Sequence, residues 1–409
     1  MDTGDTGFIM ICTALVFLMT PGLALFYGGM VRKKNVLSTL MHSWVVIGIM
    51  SLQWILVGYT LAFGSDYHGL IGGLDWLGLN GVGMEPNPNY AATIPEIVFM
   101  GFQMMFAVIT PALISGSIAE RMRFPAFIVF MLLWSTFVYD PLAHWVWGVG
   151  GFLRTLGALD FAGGNVVHIS SGYSALIAAL VLGKRRGLGK ESMAPHHVPM
   201  TVLGAGILWF GWFGFNAGSA LGANGLAGMA FVNTNTAAAA AAIAWVVVER
   251  LHRGKSTMLG AASGAVAGLV AITPGAGFVT SLSSIFIGLV GGAVCYLAIS
   301  VIKAKFGYDD ALDAFGCHGI GGTWGALATG IFATKSINPN GADGLFYGNA
   351  SLLGIQAMSV GITVLFTISI TFIILKAISM FTKLRVSEEE ESSGLDLSLH
   401  GERAYSEFI

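Results

Sequence analysis

"DFAGGNVVHISSG", Asp160 to Gly172, and "DALDAFGCHGIGG", Asp310 to Gly322, decide how this chain folds. Each opens an apolar run, and each carries an acid with a histidine eight residues further on: Asp160 and His168, then Asp310 and His318. A titratable ring where a helix crosses lipid is costly, and such groups face the interior of a bundle and mark a pathway. One histidine of this kind is as well explained by packing. A repeated unit points to function.

The surrounding chain belongs in a bilayer. Its 409 residues are 55% hydrophobic and only 10% charged, outside the balance of soluble globular proteins. The apolar residues recur in blocks of about 20, the length that crosses a hydrocarbon core of roughly 30 Å. Eleven such blocks lie near 7–31, 41–64, 94–118, 125–143, 161–183, 200–219, 228–249, 256–274, 278–302, 315–333 and 350–381. The fold class is therefore an all-α integral membrane protein of eleven transmembrane helices, with a membrane domain over 1–381 and a tail over 382–409.

Charge sets the orientation. Of the 20 lysines and arginines, alternate connections place all but Arg154 and Lys335 on one side. The positive-inside rule makes that side cytoplasmic. An odd number of spans then leaves the N-terminus outside and the C-terminal tail inside. The two Asp-x7-His units fall on spans five and ten, so they run through the membrane in opposite directions. This is the trace of an inverted repeat, spans 1–5 against spans 6–10 with the long span 11 added, and its site is expected near the midplane.

Small residues recur around both histidines: Gly164, Ser171, Gly172, Ala175 and Ala179 in span five, Gly322, Gly325, Ala326 and Thr329 in span ten. They let two helix backbones approach closely in lipid, which would bring His168 and His318 together. Asp160 and Asp310 sit at helix starts, where a carboxylate caps free N–H groups; capping and a ligand role explain them equally well. Asp309 and Asp313 read as solvated loop charges, His196 and His197 as solvent-facing, and Ala237–Ala242 as tight helix packing. Cys12, Cys295 and Cys317 fall within spans and are odd in number, which argues against a disulfide framework. No CxxC or HxxxH spacing supports a metal beside Cys317 and His318, and no cofactor is implied. Residues 1–6 lack the basic start of a cleavable signal, so the first span is expected to insert directly. No basic patch interleaved with aromatics suggests nucleic acid. The paired NPA boxes of a water or polyol channel are missing.

Further motifs run the length of the chain: "PGLALFYGGMVRKKN" (21–35), "QMMFAVITPALISGSIAERM" (103–122), "DPLAHWVWG" (140–148), "WFGFNAGSA" (212–220), "NTNTAAAAAA" (233–242), "DDALDAFGCHGIGGTWG" (309–325) and "GLDLSLHGERAY" (394–405). With the opening stretch they make the chain resemble the ammonium transporter family, the Amt/Mep/Rh group, over essentially its whole length. The resemblance implies a homotrimer in the cytoplasmic (inner) membrane with one pore through each subunit, a transporter and not an enzyme. It implies an outer ammonium site, also open to methylammonium, at Trp147, Phe106 and Ser219 and shaped by Asp160. Below it, the resemblance implies a gate of Phe106 and Phe215, then twin histidines, His168 and His318, lining an apolar lumen. The tail resembles the family's regulatory segment, which implies docking of a PII-type signalling protein such as GlnK. The alternative function is an ammonium sensor acting through that partner.

Overall fold

Glycine, proline and charge interrupt the apolar runs, and the helices end where they do. The computed structural model describes residues 1–405. The last four positions of the tail expected over 382–409 lie outside the described residues. In chain order the helices are α1 (Thr3–Met30), α2 (Lys33–Phe63), α3 (Glu96–Ile118), α4 (Phe124–Leu156), α5 (Gly164–Leu182), α6 (Val198–Gly218), α7 (Gly225–Arg253), α8 (Met258–Ile272), α9 (Ser281–Phe306), α10 (315–332) and α11 (Ala350–Phe381). Two short helices follow in the tail, α12 (Glu388–Ser393) and α13 (Leu395–His400). Two small antiparallel hairpins, Asp66–Tyr67 with Ile71–Gly72 and Pro86–Asn87 with Ala91–Pro95, lie between α2 and α3.

Among the described residues, nine helices are long and apolar enough to cross a membrane. The two that fall short are instructive. Helix α8 has only 15 residues, and α10 is diluted by His318 and by glycines at 316, 319, 321, 322, 325 and 330. Side chains cap the starts of several helices: Asp2 accepts from the amide of Asp5, Asn224 from Ala227, Thr257 from Gly260 and Thr280 from Ser283. Such caps satisfy amides that have no partner within the helix.

Helices α5 and α10 cross in close contact, and the small residues are the reason. A Cβ on Gly172 would collide with the backbone of Gly319, and one on Gly322 would lie 2.9 Å from Cβ of His168. Residue 172 thus meets 319 while 168 meets 322, the register of two antiparallel segments. The alanine run of α7 packs as its composition suggests, with Ala237 and Ala241 against Gly288 and Gly292 of α9.

At the end where the basic loops gather, the structure corrects two expectations. Asp309 is not a solvated charge: it is 2% exposed and is held by Arg185, whose Nη2 lies 2.9 Å from Oδ1 and whose backbone N–H donates to Oδ2 at 2.7 Å. His196 is half-buried, bonded to the carbonyl of Val31 at 2.9 Å and to the hydroxyl of Tyr405 at 3.0 Å; His197 is exposed. Asp313 is half-buried and pairs with Lys303 at 2.6 Å. Both corrections arise because the tail and neighbouring loops fold over this end. Glu120, in the left-handed region at φ 70, accepts from the backbone and guanidinium of Arg32 at 2.7 and 2.8 Å, with Arg185 3.5 Å away. Asp396 of α13 accepts from the amide of Ser38 at 2.8 Å, the amide of Leu395 donates to Asn35 at 2.8 Å, and Glu391 takes Arg385 at 2.7 Å and the amide of Arg186 at 2.6 Å.

Burial alone would push the Glu120 carboxyl up, but the charges of Arg185 and Arg32 and their hydrogen bonds outweigh it and hold it below its ordinary value of 4.5. Asp309 is held low in the same way, burial being overcome by Arg185. A lowered folded-state pKa contributes stability that is complete above the unfolded value and is lost as pH falls through the folded one. The share of thermal stability in detergent that these two carboxylates contribute should therefore be lost as pH falls below about 4.5. Glu120→Gln should flatten part of that decline and cost about 3 kcal/mol at neutral pH, because it removes the buried carboxylate that Arg32 and Arg185 share; an unchanged acid profile would count against the cluster. The helix crossing gives a second expectation. Gly172→Leu should lower stability by about 3 kcal/mol, whereas Gly361→Leu, with open space around it, should stay within about 0.5 kcal/mol. Equal melting temperatures for the two variants would contradict the close approach.

Candidate functional site

The opposite end of the bundle holds a vestibule of about 200 Å³, walled by Phe106, Trp147 and Ser219 with Tyr90, Gln103 and Arg154. Trp147, near the end of α4, donates its indole N–H to the carbonyl of Asp160 at 3.0 Å. Its ring stands edge-on to Phe106, with centroids 6.0 Å apart at 87°. The hydroxyl of Ser219 donates to the carbonyl of Phe215 at 2.9 Å, leaving its oxygen free to accept. A cation placed here would meet ring faces, worth roughly 0.5–2 kcal/mol each, and acceptors that include the oxygen of Ser219 and the unpartnered Oε1 of Gln103.

Phe106 and Phe215 close the floor of this vestibule. Their centroids are 4.2 Å apart with a 34° tilt, and both are buried. Beyond them is a chamber of about 10 Å³, lined by His168, His318, Trp212, Leu208 and Ile109 among others; that is room for about one small molecule. The ring of His168 stacks near Phe215 at 6.2 Å and near Trp212 at 5.5 Å. The chamber leads past His318 to a second one of about 40 Å³ lined by Cys317 and Asp313. A mouth of about 700 Å³ at the basic end lies beside Glu249, Arg253 and Lys303.

The two histidines meet Nδ1 to Nδ1 at 3.3 Å. A neutral imidazole has one N–H, so one Nδ1 donates and the other accepts. The donor ring must then present a bare Nε2 and its partner an Nε2–H. Each ring fixes the other's tautomer, and the two outward nitrogens differ in character, one accepting and one donating. Nε2 of His168 has no protein partner although it is buried. Both histidines sit in π-helical turns, Gly164–Ile169 and Phe315–Gly319, at the starts of α5 and α10. Wide turns of this kind are rare and gather at functional sites.

The carboxylate of Asp160 makes that turn possible. It accepts from the amides of Gly163, Gly164 and Asn165 at 2.7, 2.6 and 2.7 Å, and from Val166 at 3.4 Å. All four bonds go to backbone, so Asp160 caps α5 while its carbonyl holds Trp147. Asp310 does the same for α10, accepting from Ala314 and Phe315 at 3.1 and 2.8 Å. The structure brings Phe106, Trp147 and Ser219 into one vestibule, Phe106 and Phe215 into one stack, and His168 and His318 into one bonded pair. Sequence reasoning missed Trp212, Arg154, Tyr90 and Gln103. Trp212 had a signal: it precedes Phe215 by three residues and Ser219 by seven, one face of a helix. Among the described residues no three His, Cys, Asp or Glu side chains gather to hold a metal, and the three cysteines are free.

Comparison with known proteins agrees along the whole chain. The profile described as Ammonium Transporter Family matches residues 7–405. The ammonium transporter of Bacillus subtilis (strain 168) is 60% identical over 407 residues, covering 100% of both chains. Among solved structures, Saccharomyces cerevisiae Mep2 superposes with a TM-score of 0.91 at 38% identity, covering 100% of this chain and 93% of that one. A structure titled Sensor Amt Protein gives 0.88 at 32% identity, covering 97% and 98%. With a family profile that spans nearly every residue and a multi-pass helical fold to match, this chain belongs to the ammonium transporter family.

Proposed function

We propose that this ammonium transporter binds the cation in the vestibule at Trp147, Phe106 and Ser219, removes one proton there, and passes ammonia through the Phe106–Phe215 gate along His168 and His318. The observation that carries this is the bonded histidine pair in an apolar chamber of about 10 Å³. Taking a bare monovalent ion into such a place costs on the order of tens of kcal/mol in the idealised limit. Cation–π contacts return far less. Ammonium avoids the cost by splitting into ammonia and a proton. Ammonia, both donor and acceptor, can bond the unlike Nε2 atoms in turn. Potassium has no proton to give, so the barrier stops it. The proton is proposed to cross by way of the histidine pair, for a net movement of one positive charge per substrate. Similarity to a sensor is weaker than similarity to a transporter, which favours transport over the sensing alternative.

Eleven spans, with the N-terminus outside and the tail inside, remain the preferred topology. Support comes from where the connections meet. Arg32, Glu120, Arg185, Asp309 and the tail share one end, whereas Trp147, Arg154, Ser219 and Tyr90 share the other. With the ends of α1, α3, α5 and α9 together, α10 must cross outward for α11 to return. The inverted repeat of spans 1–5 and 6–10 is supported by the antiparallel α5–α10 register. The unit is proposed to act as a homotrimer in the cytoplasmic membrane, with residues 1–381 as the transporting domain and 382–409 as the regulatory tail.

The double variant His168→Leu with His318→Leu should abolish ammonium-driven current in proteoliposomes while leaving a folded protein, since leucine suits the apolar wall. Wild-type, ammonium-selective current from it would show that the histidines carry no chemistry. The tail and basic loops are proposed to receive a PII-type protein such as GlnK. Nucleotide-loaded cognate PII protein should be retained in a detergent pull-down in a manner that depends on 2-oxoglutarate. Absence of binding under every ligand condition would defeat the regulatory proposal without touching transport.

A further inference from the structure

One side chain in the vestibule has the wrong sign for a cation trap. Arg154 lines the chamber beside Trp147, Phe106 and Ser219, and no carboxylate lines it among the described residues. Arg154 is exposed, and its guanidinium donates to the carbonyl of Trp147 at 2.6 Å. That bond neutralises no charge. Nor is basic character general at this end, since Arg154 and Lys335 are the two cationic residues in its connections. A fixed positive charge on this wall lowers the occupancy of any cation. Its effect grows with the charge of the visitor: if a single charge is disfavoured about threefold, a double charge at the same place is disfavoured about ninefold.

We propose that Arg154 is a specificity-determining residue, a fixed charge that rejects dications, such as organic diammonium ions, from the vestibule while admitting monovalent ammonium. The aromatic walls need such a filter, because a ring face attracts any cation and does not distinguish one ammonium group from one end of a diammonium chain. Arg154 does so without contacting the bound ion, by making the second charge count. The inference rests on the vestibule being the cation site.

The test uses full-length protein in proteoliposomes and inhibition of methylammonium uptake by two competitors of equal chain length, butylammonium and the butane-1,4-diammonium dication, at low ionic strength. Arg154→Gln should strengthen inhibition by the dication about threefold more than inhibition by the monocation. Sodium chloride, whose cation is strongly hydrated, added at constant osmolarity should close the gap between wild type and variant, because salt screens an exposed charge. Arg154→Lys keeps the charge and should keep wild-type discrimination. Arg154→Ala, which shares no polar group with glutamine, should repeat the glutamine result. Equal shifts for both competitors, or a lysine variant that behaves as glutamine does, would overturn the proposal and assign Arg154 to holding the Trp147 backbone. Trp147→Leu separates the levels: if it weakens both competitors, the vestibule reading stands whatever Arg154 does. If it changes neither, that reading falls and the filter falls with it.

Discussion

Hydrocarbon offers no partner to a polar group, and each decision in this fold answers to that fact. A backbone amide left bare in lipid costs several kcal/mol, so the chain crosses as helices whose ends are capped. A charge left bare costs far more. The carboxylates nearest the pore, Asp160 and Asp310, are each surrounded by amides of the helix that follows. Their charge is spent on holding a wide first turn in place. The histidines on those turns bond to each other, which satisfies one ring nitrogen of each in an apolar wall.

The proposed permeation route would apply the rule to the substrate. In that proposal recruitment takes place where aromatic faces offer weak attraction in contact with water, and passage takes place where stacked phenylalanines exclude water. Between these zones the cation would have to change, and ammonium can do so by losing a proton. Selectivity against potassium would then need no measurement of ionic radius, because it would follow from chemistry that one ion has and the other lacks.

Much of this was legible in the sequence because it rests on spacing. The Asp-x7-His units and the small residues around them announced a close antiparallel crossing, and charge asymmetry announced which loops would gather. Phe106, Phe215, Trp147 and Ser219 were legible only through family resemblance; alone, each is an ordinary membrane aromatic or hydroxyl. Asp160 stood between cap and ligand until its bonds to four amides were visible. Asp309 was misjudged because its partner, Arg185, lies 124 positions away, and no local pattern reports such a pairing. His196 was misjudged for a similar reason, since the residue that covers it, Tyr405, belongs to the tail. The π-helical turns had no signal at all, because no residue pattern marks where a helix widens.

The ordering of the basic end follows from the same constraint acting at a distance. Asp310, whose carboxylate caps α10, lies one residue after the carboxylate that Arg185 holds. Arg185 also lies near Glu120, which binds Arg32, and the adjoining Arg186 gives its amide to Glu391 of the tail. Loops from α1, α3, α5 and α9 thus share one set of ion pairs, and a backbone hydrogen bond ties α12 to it. Breaking any one pair leaves a buried charge unmatched, which is strongly unfavourable, so the loops hold their relative positions as a group. Asp310, which caps α10 ahead of His318, follows Asp309 directly in the chain, so the ion-paired loops and the pore histidine meet at one helix start.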